Sequence, residues 1–321
     1  MKVRVVTGAT GFLGAALLQQ LASQQADASG ATAYSLSGIT RHAPAKRVAG
    51  VRYLPLGDLT GRVDWPAALS GVDVVVHTAA RVHMMADTAA DPLAEFRRVN
   101  VEASLRLARE AAAVGMRRFV FISSVKVNGE ATLAGRPFTE QDAVGPQDAY
   151  GISKMEAEQG LRQIAADTDM EVVIIRPPLV YGSGVRANFA ALMRAVQRGW
   201  PLPLGAVQNK RSLVALDNLV DFIITCINHP QAANQTFLVS DGQDLSTTEL
   251  VRGMAHAAGV PARLLPVPVW ALQTGASLLY KGDAVQRLCG NLQVDISKAH
   301  SLLGWVPPVS LEEGLRRAMA V

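Results

Sequence analysis

Short apolar runs alternate with helical stretches along the first half of the chain. Apolar runs rich in β-branched residues predict strands over 2–7, 32–40, 51–55, 72–77, 119–123 and 171–176. Apolar positions at helical spacing predict helices over 12–25, 92–114 and 150–166. Strands that are apolar on both faces belong in buried parallel sheets covered by helices. The pattern therefore predicts an α/β fold with a doubly wound parallel sheet.

A glycine-rich turn, Thr7-Gly-Ala-Thr-Gly-Phe-Leu-Gly14, joins the first strand to the first helix. Glycines in this position allow a tight turn, close approach of the backbone to phosphate and close helix packing. The helix N-terminus then offers N–H groups and a positive dipole end to a pyrophosphate. The turn therefore predicts a Rossmann-type dinucleotide site. The expected contacts in it are Gly8, Thr10, Gly11, Phe12, Leu13 and Gly14.

The alternation weakens after residue 178. A helix over 188–198 and a loop or short strand over 199–205 are followed by a strand–helix unit over 212–228 and a strand over 236–240. The remainder, from 246, combines helical stretches with Pro-rich connections. We predict a dinucleotide-binding domain over 1–178, to which 212–245 returns. A smaller C-terminal α/β substrate-binding cap would comprise 179–211 and 246–321.

Two further positions bear on the cofactor. Asp58 follows the third strand, where it either accepts from an adenine amino group or caps the next turn. The second strand ends at Thr40-Arg41, where NAD-selective enzymes place an acid for the ribose diol. Arg41 suits a 2′-phosphate, so we expect NADPH with NADH tolerated; a merely solvated Arg41 is the alternative.

Tyr150 and Lys154 lie four residues apart on one predicted helix face, about 5–6 Å apart at Cβ. A nearby ammonium stabilises a phenolate, which predicts a tyrosine able to exchange a proton near neutral pH. Ser123 and Ser124 end the preceding strand. Because neighbours on a strand point to opposite faces, only one of the two serines should reach a substrate.

Composition narrows the class of protein. The net charge of +4 is scattered and forms no basic stripe with aromatics, so we expect no nucleic-acid partner. Cys226 and Cys289 lack a metal or disulfide spacing, which with the absence of a leader before the first strand predicts a reducing cytoplasm. Apolar runs are too short for stable membrane insertion. His77 and His83 lack an adjacent carboxylate pattern, so no metal is expected.

Seven motifs occur in order: TGATGFLG, GDLT, HTAA at 77–80, Asn100, FISSVKVNG at 121–129, YGISK, and RPPLVYGSG at 176–184. Together they resemble the extended short-chain dehydrogenase/reductase superfamily, specifically its NAD-dependent epimerase/dehydratase branch, over essentially the whole chain. The resemblance implies that Ser124 bonds the reacting sugar oxygen and that Tyr150 is the acid/base. Lys154 would hold the nicotinamide ribose and depress the tyrosine pKa.

The resemblance also implies a wider set of contacts and an assembly. Further cofactor contacts would be Arg41, Asp58, Leu59, Ala79, Ala80, Asn100, Tyr150, Lys154, Pro177 and Val180. Contacts with a nucleotide-sugar substrate would be Arg81, Ser124, Val125, Lys126, Tyr181, Asn188, Arg211 and Arg287. A helix cap is the alternative for Asn100, and solvation for the last two arginines. Family members often pair through two long helices, here 92–114 and 150–166, which implies a homodimer with a four-helix bundle.

The reaction expected from the resemblance depends on missing acids. Val125-Lys126 stands where dehydratases of the branch carry Asp-Glu, which argues against 4,6-dehydration. The phrases HTAARVHMM, SSVKVNGE, RSLVALDNLVDFI and LCGNLQVDISKA resemble bacterial proteins of lipopolysaccharide O-antigen biosynthesis. We therefore expect an NAD(P)H-dependent 4-ketoreductase that converts UDP-4-keto-6-deoxy-N-acetylglucosamine to UDP-N-acetylquinovosamine or UDP-N-acetylfucosamine. The alternatives are a UDP-hexose or UDP-N-acetylhexosamine 4-epimerase with tightly bound NAD, and a non-catalytic dinucleotide-binding regulator.

Overall fold

The computed structural model describes residues 2–27, 34–82, 91–278 and 282–320. Its larger sheet has seven parallel strands in the order β3-β2-β1-β4-β5-β6-β9, and a smaller parallel sheet pairs β7 with β8. The strands are β1 (Lys2–Thr7), β2 (Tyr34–Thr40), β3 (Val51–Pro55), β4 (Val72–His77), β5 (Arg118–Ile122), β6 (Glu171–Arg176), β7 (Leu179–Tyr181), β8 (Leu213–Ala215) and β9 (Thr236–Leu238).

Helices cover both faces of the larger sheet and build most of the second half. They are α1 (Phe12–Asp27), α2 (Trp65–Leu69), α3 (Pro92–Phe96), α4 (Ala103–Ala113), α5 (Ala149–Asp167), α6 (Ala187–Gln197), α7 (Leu216–Asn228), α8 (Thr247–Ala257), α9 (Val269–Leu278), α10 (Gly282–Cys289), α11 (Ser297–Leu303) and α12 (Leu311–Met319). A π-helical segment, Arg97–Glu102, joins α3 to α4.

Alternate residues of each central strand enter two separate cores. Val74 and Val76 of β4 pack with α1 and α7 on one face, whereas Val75 packs with α4 and α5 on the other. Both sets are almost completely buried. This burial on both faces explains why the strands read as unbroken apolar runs. The α/β fold with a doubly wound parallel sheet is confirmed.

The order in which strands are added to the sheet reverses between β1 and β4. Strands β2 and β3 extend one side from β1, while β4, β5, β6 and β9 extend the other. In open α/β sheets, ligands bind at the carboxyl ends of the strands beside such a reversal. The topology therefore directs attention to the cleft after Thr7 and His77.

A third core holds the second half of the chain together. Buried side chains of α6, α8 and α12 pack around Tyr181 and Leu213. By contrast, Ala299, Leu303 and Trp305 pack with the α1–α7 face of the larger sheet. The division into a dinucleotide-binding domain and a cap stays a prediction. The packing of 297–305 against the sheet would move these residues from the predicted cap to the dinucleotide-binding domain.

The predicted elements differ from the observed ones at their ends. Strands 2–7, 51–55, 72–77 and 171–176 have the predicted bounds, while the strand predicted over 119–123 begins and ends one residue earlier. Residues 32 and 33 of the second predicted strand lie outside the described ranges. The helix predicted over 92–114 contains the π-helical segment, which apolar spacing alone does not reveal. None of the described helices is long and apolar enough to cross a bilayer.

Candidate active site and cofactor cleft

Hydrogen bonds tie the ends of β1 and β4 together at the mouth of the cleft. The Thr78 hydroxyl donates to the Thr7 carbonyl oxygen at 2.6 Å, and the Ala79 N–H donates to Thr7 Oγ1 at 3.3 Å. The His77 ring contacts Thr7 Oγ1 through Nδ1 and Ser104 Oγ through Nε2, both at 2.8 Å. Burial, with the nearby Lys154 charge, lowers the pKa of His77 to about 3. His77 is therefore a neutral, structural histidine.

The glycine turn leaves no room for side chains on its inner side. Gly8 has a φ of +67°, and a Cβ there would lie 2.8 Å from the Ala79 nitrogen. A Cβ on Gly14 would lie 2.3 Å from the Gly8 carbonyl oxygen, so the start of α1 packs directly on the turn. Gly11 closes the turn by donating its N–H to Gly8 O at 2.8 Å. The open N-terminus of α1 and the bare backbone fit a dinucleotide pyrophosphate.

Arg41 and Asp58 lie near one another beyond the ends of β2 and β3. Asp58 Oδ1 accepts from the N–H and the hydroxyl of Thr60, each at 2.8 Å. These bonds lower the pKa of Asp58, and the positive charges of Arg41 and Arg98 lower it further. Asp58 thus caps its turn, which was the alternative to an adenine contact. Its second carboxylate oxygen leaves the adenine contact open as a prediction.

Asn100 is fully buried in the π-helical segment and not at a helix start, so the alternative of a helix cap is wrong. Its Oδ1 accepts from the Arg81 N–H at 2.8 Å, and its Nδ2 donates to the Arg81 carbonyl oxygen at 3.0 Å. Nδ2 also donates to Ser153 Oγ at 3.0 Å, and that hydroxyl donates to the Tyr150 carbonyl oxygen. Asn100 therefore fixes the loop after β4 to the helix that carries Tyr150.

The two serines after β5 point in different directions. The Ser123 hydroxyl donates to the buried Glu158 carboxylate at 2.5 Å. Ser124 is partly exposed, caps the short turn Val125–Val127 and accepts from the Lys126 N–H at 3.2 Å. The Ser124 hydroxyl also forms a hydrogen bond with Tyr150. This arrangement supports the choice of Ser124 over Ser123 as the serine that meets a substrate.

Tyr150 and Lys154 both lie in α5, and each has its own hydrogen-bond partner. Lys154 is buried, and its Nζ donates to the Ile122 carbonyl oxygen at 2.7 Å and lies 4.3 Å from the centre of the Phe121 ring. Burial lowers the pKa of Lys154 to about 7. Burial and the Asp148 charge raise the pKa of Tyr150, while the bond to Ser124 opposes this. Lys154 is not among the groups that shift the pKa of Tyr150 here, and its expected lowering of that pKa stays a prediction.

Lys126 is part of an ion-pair cluster at the start of α5. Its Nζ donates to Glu130 Oε1 at 3.1 Å and to Asp148 Oδ2. Asp148 caps α5 by accepting the Gly151 N–H at 2.7 Å. Lys126 thus engages the two nearest acids, whereas its predicted contact with substrate stays a prediction. At the neighbouring position, Val125 is buried and donates its N–H to the Pro177 carbonyl oxygen at 3.0 Å.

A buried ion pair beneath these residues escaped the sequence analysis. Glu158 and Arg176 are both almost fully buried, with Arg176 Nη2 2.6 Å from Glu158 Oε2 and Nε 2.9 Å from Oε1. Arg176 Nη1 also donates to Asn128 at 2.9 Å. Two features of the sequence could have indicated this ion pair. Glu158 lies one helical turn after Lys154, and Arg176 ends an otherwise apolar strand. Charges in such positions require partners.

The remaining predicted cofactor contacts lie around the cleft and in the second half of the chain. Thr10 is exposed at the tip of the turn, while Phe12 and Leu13 are partly buried against the sheet. Leu59 packs against the α4–α5 face, and Val180 of β7 packs against the α1–α7 face. Ala79 and Ala80 are half-buried, and Pro177 is buried. Their roles as cofactor contacts stay predictions.

The predicted substrate contacts differ widely in exposure. Tyr181 is fully buried, and its hydroxyl donates to Asp241 Oδ2 at 2.7 Å, so this hydroxyl already has a partner. Arg211 is half-buried and donates to the Gly290 carbonyl oxygen at 3.1 Å. Asn188 and Arg287 are exposed on α6 and α10. Arg81 lies over the Phe96 ring, whose centre is 6.0 Å from that of Tyr150. These substrate contacts also stay predictions.

Among the described residues, no group of three or more His, Cys, Asp or Glu side chains is placed to hold a metal ion. His83 lies outside these residues.

The motifs and the cleft they form are those of a known family. Residues 4–240 match the model of the NAD-dependent epimerase/dehydratase family. The chain belongs to this family. A UDP-glucose 4-epimerase of Vibrio cholerae is 49% identical over 314 residues, which cover 98% of this chain and 93% of the Vibrio protein. The family expected from the motifs is thereby confirmed.

More distant proteins also align along most of the chain. An Escherichia coli O157:H7 protein named N-acetyl-alpha-D-glucosaminyl-diphospho-ditrans,octacis-undecaprenol 4-epimerase is 28% identical over 278 residues, 82% of each chain. The solved Bacillus cereus UDP-glucuronic acid 4-epimerase in complex with NAD has a TM-score of 0.77 at 20% identity, covering 99% of this chain and 97% of its own. The solved Thermotoga maritima UDP-glucose 4-epimerase has a TM-score of 0.78 at 20% identity, with the same coverage. At 20% identity, the likeness to these two solved structures supports the fold of this chain alone.

Proposed function

We propose that this protein is a 4-epimerase of UDP-activated hexoses or N-acetylhexosamines that keeps NAD bound between turnovers. The observation that carries the proposal is the 49% identity to the Vibrio cholerae UDP-glucose 4-epimerase along almost the whole of both chains. A 4-ketoreductase and a 4-epimerase would use the same serine, tyrosine and lysine. The site geometry therefore does not separate the two reactions, and the similarity favours the epimerase over the ketoreductase that the motifs predicted.

The proposed roles follow from the contacts at the start of α5. Tyr150 removes the proton of the C4 hydroxyl and returns it to the C4 oxygen after the ketone has turned its other face. Ser124, which bonds to Tyr150, holds the same sugar oxygen and supports the deprotonated phenol. Lys154 holds the nicotinamide ribose. Because the pKa of Lys154 is lowered to about 7, its charge at neutral pH is divided between the ammonium and the neutral amine.

The glycine turn fits the dinucleotide that this reaction needs. Its inner side excludes any Cβ at Gly8 and Gly14, and the N-terminus of α1 faces the space where a pyrophosphate would lie. NAD, when bound, supplies the hydride acceptor and donor for C4. The net reaction consumes no reductant, since the proton and the hydride removed from the sugar both return to it.

The test is an assay without added cofactor. Purified protein should interconvert UDP-glucose with UDP-galactose, or UDP-N-acetylglucosamine with UDP-N-acetylgalactosamine, and acid extraction should release NAD. Tyr150→Phe should lose about 10²–10⁴-fold in turnover while keeping NAD. Tyr34→Phe is the matched control, since its hydroxyl donates to the Leu21 carbonyl oxygen, far along the sequence from the site. Full activity in Tyr150→Phe would contradict the catalytic roles.

One observation favours the 4-ketoreductase as a second candidate. Arg41 follows β2 where an acid would bind the ribose diol of NAD, and its charge is close enough to act on Asp58. A reductase consuming NADPH would use this arginine. Stoichiometric NADPH oxidation with a UDP-4-keto-6-deoxy-N-acetylhexosamine, and no epimerisation of UDP-sugars, would replace the epimerase with the reductase.

The biological setting is also a proposal. We place the enzyme in the cytoplasm, where nucleotide sugars would be its substrates and the free Cys226 and Cys289 would stay reduced. A role in lipopolysaccharide O-antigen biosynthesis is supported by the sequence phrases and by the similarity to the Escherichia coli O157:H7 protein. Loss of a galactose-type sugar from surface polysaccharide in a deletion strain would support it, and an unchanged polysaccharide would contradict it.

A further inference from the structure

Two of the four tryptophans are exposed on the second half of the molecule. Trp200 is 55% exposed and Trp270 is 69% exposed, whereas Trp65 and Trp305 are buried in the cores. Leu265, which lies between Trp200 and Trp270 in the sequence, is 49% exposed. Large apolar side chains in one region of a surface indicate an interaction site more strongly than scattered ones.

Backbone pairing brings the two chain segments that carry these exposed side chains next to one another. Leu202 donates its N–H to the Arg263 carbonyl oxygen, and Leu265 donates to the Leu202 carbonyl oxygen, both at 2.8 Å. Trp200 lies two residues before this pairing and Trp270 lies on the first turn of α9, five residues after Leu265. We call Trp200, Leu265 and Trp270 the tryptophan surface.

The segments that carry the tryptophan surface also carry exposed positive charge. Arg194, Arg198 and Arg263 are exposed, and the Arg198 guanidinium lies 5.5 Å from the centre of the Trp200 ring. Neither of the two chain segments that build the surface contains an acid: the sequence has no Asp or Glu over 172–216 or over 250–282. Within these two segments, the charged side chains that accompany the tryptophan rings are therefore all basic.

We propose that the tryptophan surface docks the enzyme on a bilayer rich in anionic phospholipid. Tryptophan suits the level of the headgroups because its ring is apolar and its N–H is polar. Arginines beside it would contact lipid phosphates while their stems lie along the apolar layer. A second protein copy would meet the same set of positive charges, which disfavours self-association through this face. The proposal goes beyond the proposed function and does not depend on it.

The docked orientation has a geometric consequence. Helix α6 runs from Ala187 beside the predicted substrate contact Asn188 to Gln197, three residues before Trp200. Eleven helical residues span about 16 Å. The tryptophan surface therefore lies on the order of 20 Å from the predicted substrate contact Asn188, so a docked enzyme would hold its substrate cleft near the bilayer.

The experiment is vesicle co-sedimentation of the full chain. Protein should sediment with vesicles of phosphatidylcholine mixed with phosphatidylglycerol, sediment less with phosphatidylcholine alone, and be released by high salt. Trp200→Ser and Trp270→Ser should each weaken partitioning several-fold, and Arg198→Gln/Arg263→Gln roughly tenfold or more. Bromine-labelled lipids should quench the fluorescence of the wild type, and the double variant Trp200→Phe/Trp270→Phe should lose that quenching, since Trp65 and Trp305 are buried.

Matched variants separate docking from general effects. Leu133→Ser removes an equally exposed apolar side chain elsewhere, and Arg52→Gln/Arg136→Gln removes the same charge from other exposed positions. Both should partition like the wild type. Absence of sedimentation with anionic vesicles, or equal losses in the matched variants, would overturn the proposal. A change in oligomeric state caused by Trp200→Ser would overturn it too, because the surface would then bind a second copy.

Discussion

Buried charge is concentrated directly beneath Ser124, Tyr150 and Lys154. The Glu158 carboxylate accepts hydrogen bonds from Ser123 and Arg176, and it also pairs with Arg162 at the surface. This one carboxylate thereby connects the end of β5, the middle of α5 and the end of β6. We infer that it positions Ser124 and Lys154, which lie on the same two elements, without touching a substrate.

Replacing Glu158 should reveal this positioning role. Glu158→Gln leaves Arg176 buried without a counter-charge, so the free energy of unfolding should fall by about 3–5 kcal/mol in urea titrations. The double variant Glu158→Leu/Arg176→Met should lose less than the two single changes combined. Turnover should fall while KM changes little. Glu156→Gln, which breaks the more exposed pair with Arg97, is the control and should leave stability nearly unchanged.

His77 should make the protein sensitive to acid. Its pKa is about 3 in the folded protein against an ordinary value of 6.5, so the unfolded chain binds a proton between these values and the folded protein does not. Stability is therefore lost as the pH falls from 6.5 towards 3. At pH 5 the loss from this group is about 2 kcal/mol relative to pH 7 and above.

The measurement compares unfolding free energies at pH 7 and pH 5. His77→Gln should remove most of that 2 kcal/mol difference, whatever its own stability, whereas His300→Gln at an exposed position should keep it. An identical pH dependence in wild type and His77→Gln would show that the histidine is protonated in the folded protein.

At the scale of elements, the packing of α1 on the glycine turn is the tightest contact near the cofactor cleft. A Cβ on Gly14 would meet Gly8 O at 2.3 Å and Thr78 Oγ1 at 2.8 Å. Gly14→Ala should therefore cost about 1–3 kcal/mol of stability and weaken NAD binding at least about tenfold. The helical Gly275 has open space around it, so Gly275→Ala should keep NAD affinity and gain up to about 1 kcal/mol. Calorimetric titration with NAD would measure the affinity of both variants.

Apolar sequence patterns predicted some elements of the fold and missed others. The bounds of β1, β3, β4 and β6 followed from their apolar runs, because burial on both faces leaves no polar positions inside them. The π-helical segment around Asn100 was not predictable, since its extra residue per turn leaves the apolar pattern of the flanking helices almost intact. Its effect is visible only in space, where Asn100 meets Arg81 and Ser153.

At the scale of the whole molecule, the homodimer expected from the resemblance remains a proposal. Glu102, Arg109 and Ala113 form an exposed stripe at helical spacing beside α5. If α4 and α5 pair with their copies, Ala113→Arg should convert a dimer to a monomer in light scattering. Ala191→Arg, on the exposed side of α6, should leave the mass unchanged. A monomeric wild type would rule out the four-helix bundle.

The sequence by itself determined the sheet, the glycine turn, the family and the helix that carries Tyr150 and Lys154, because each depends on local spacing or on runs of one residue type. The resemblance had already chosen Ser124 over Ser123, and the structure supports that choice. Only the tertiary structure decided where the Lys154 ammonium donates and which charges are buried together. These outcomes depend on side chains that meet from distant parts of the chain, such as Glu158 with Arg176 and Thr7 with His77. Burial, which no local pattern measures, is also what raises the pKa of Tyr150 and lowers that of Lys154.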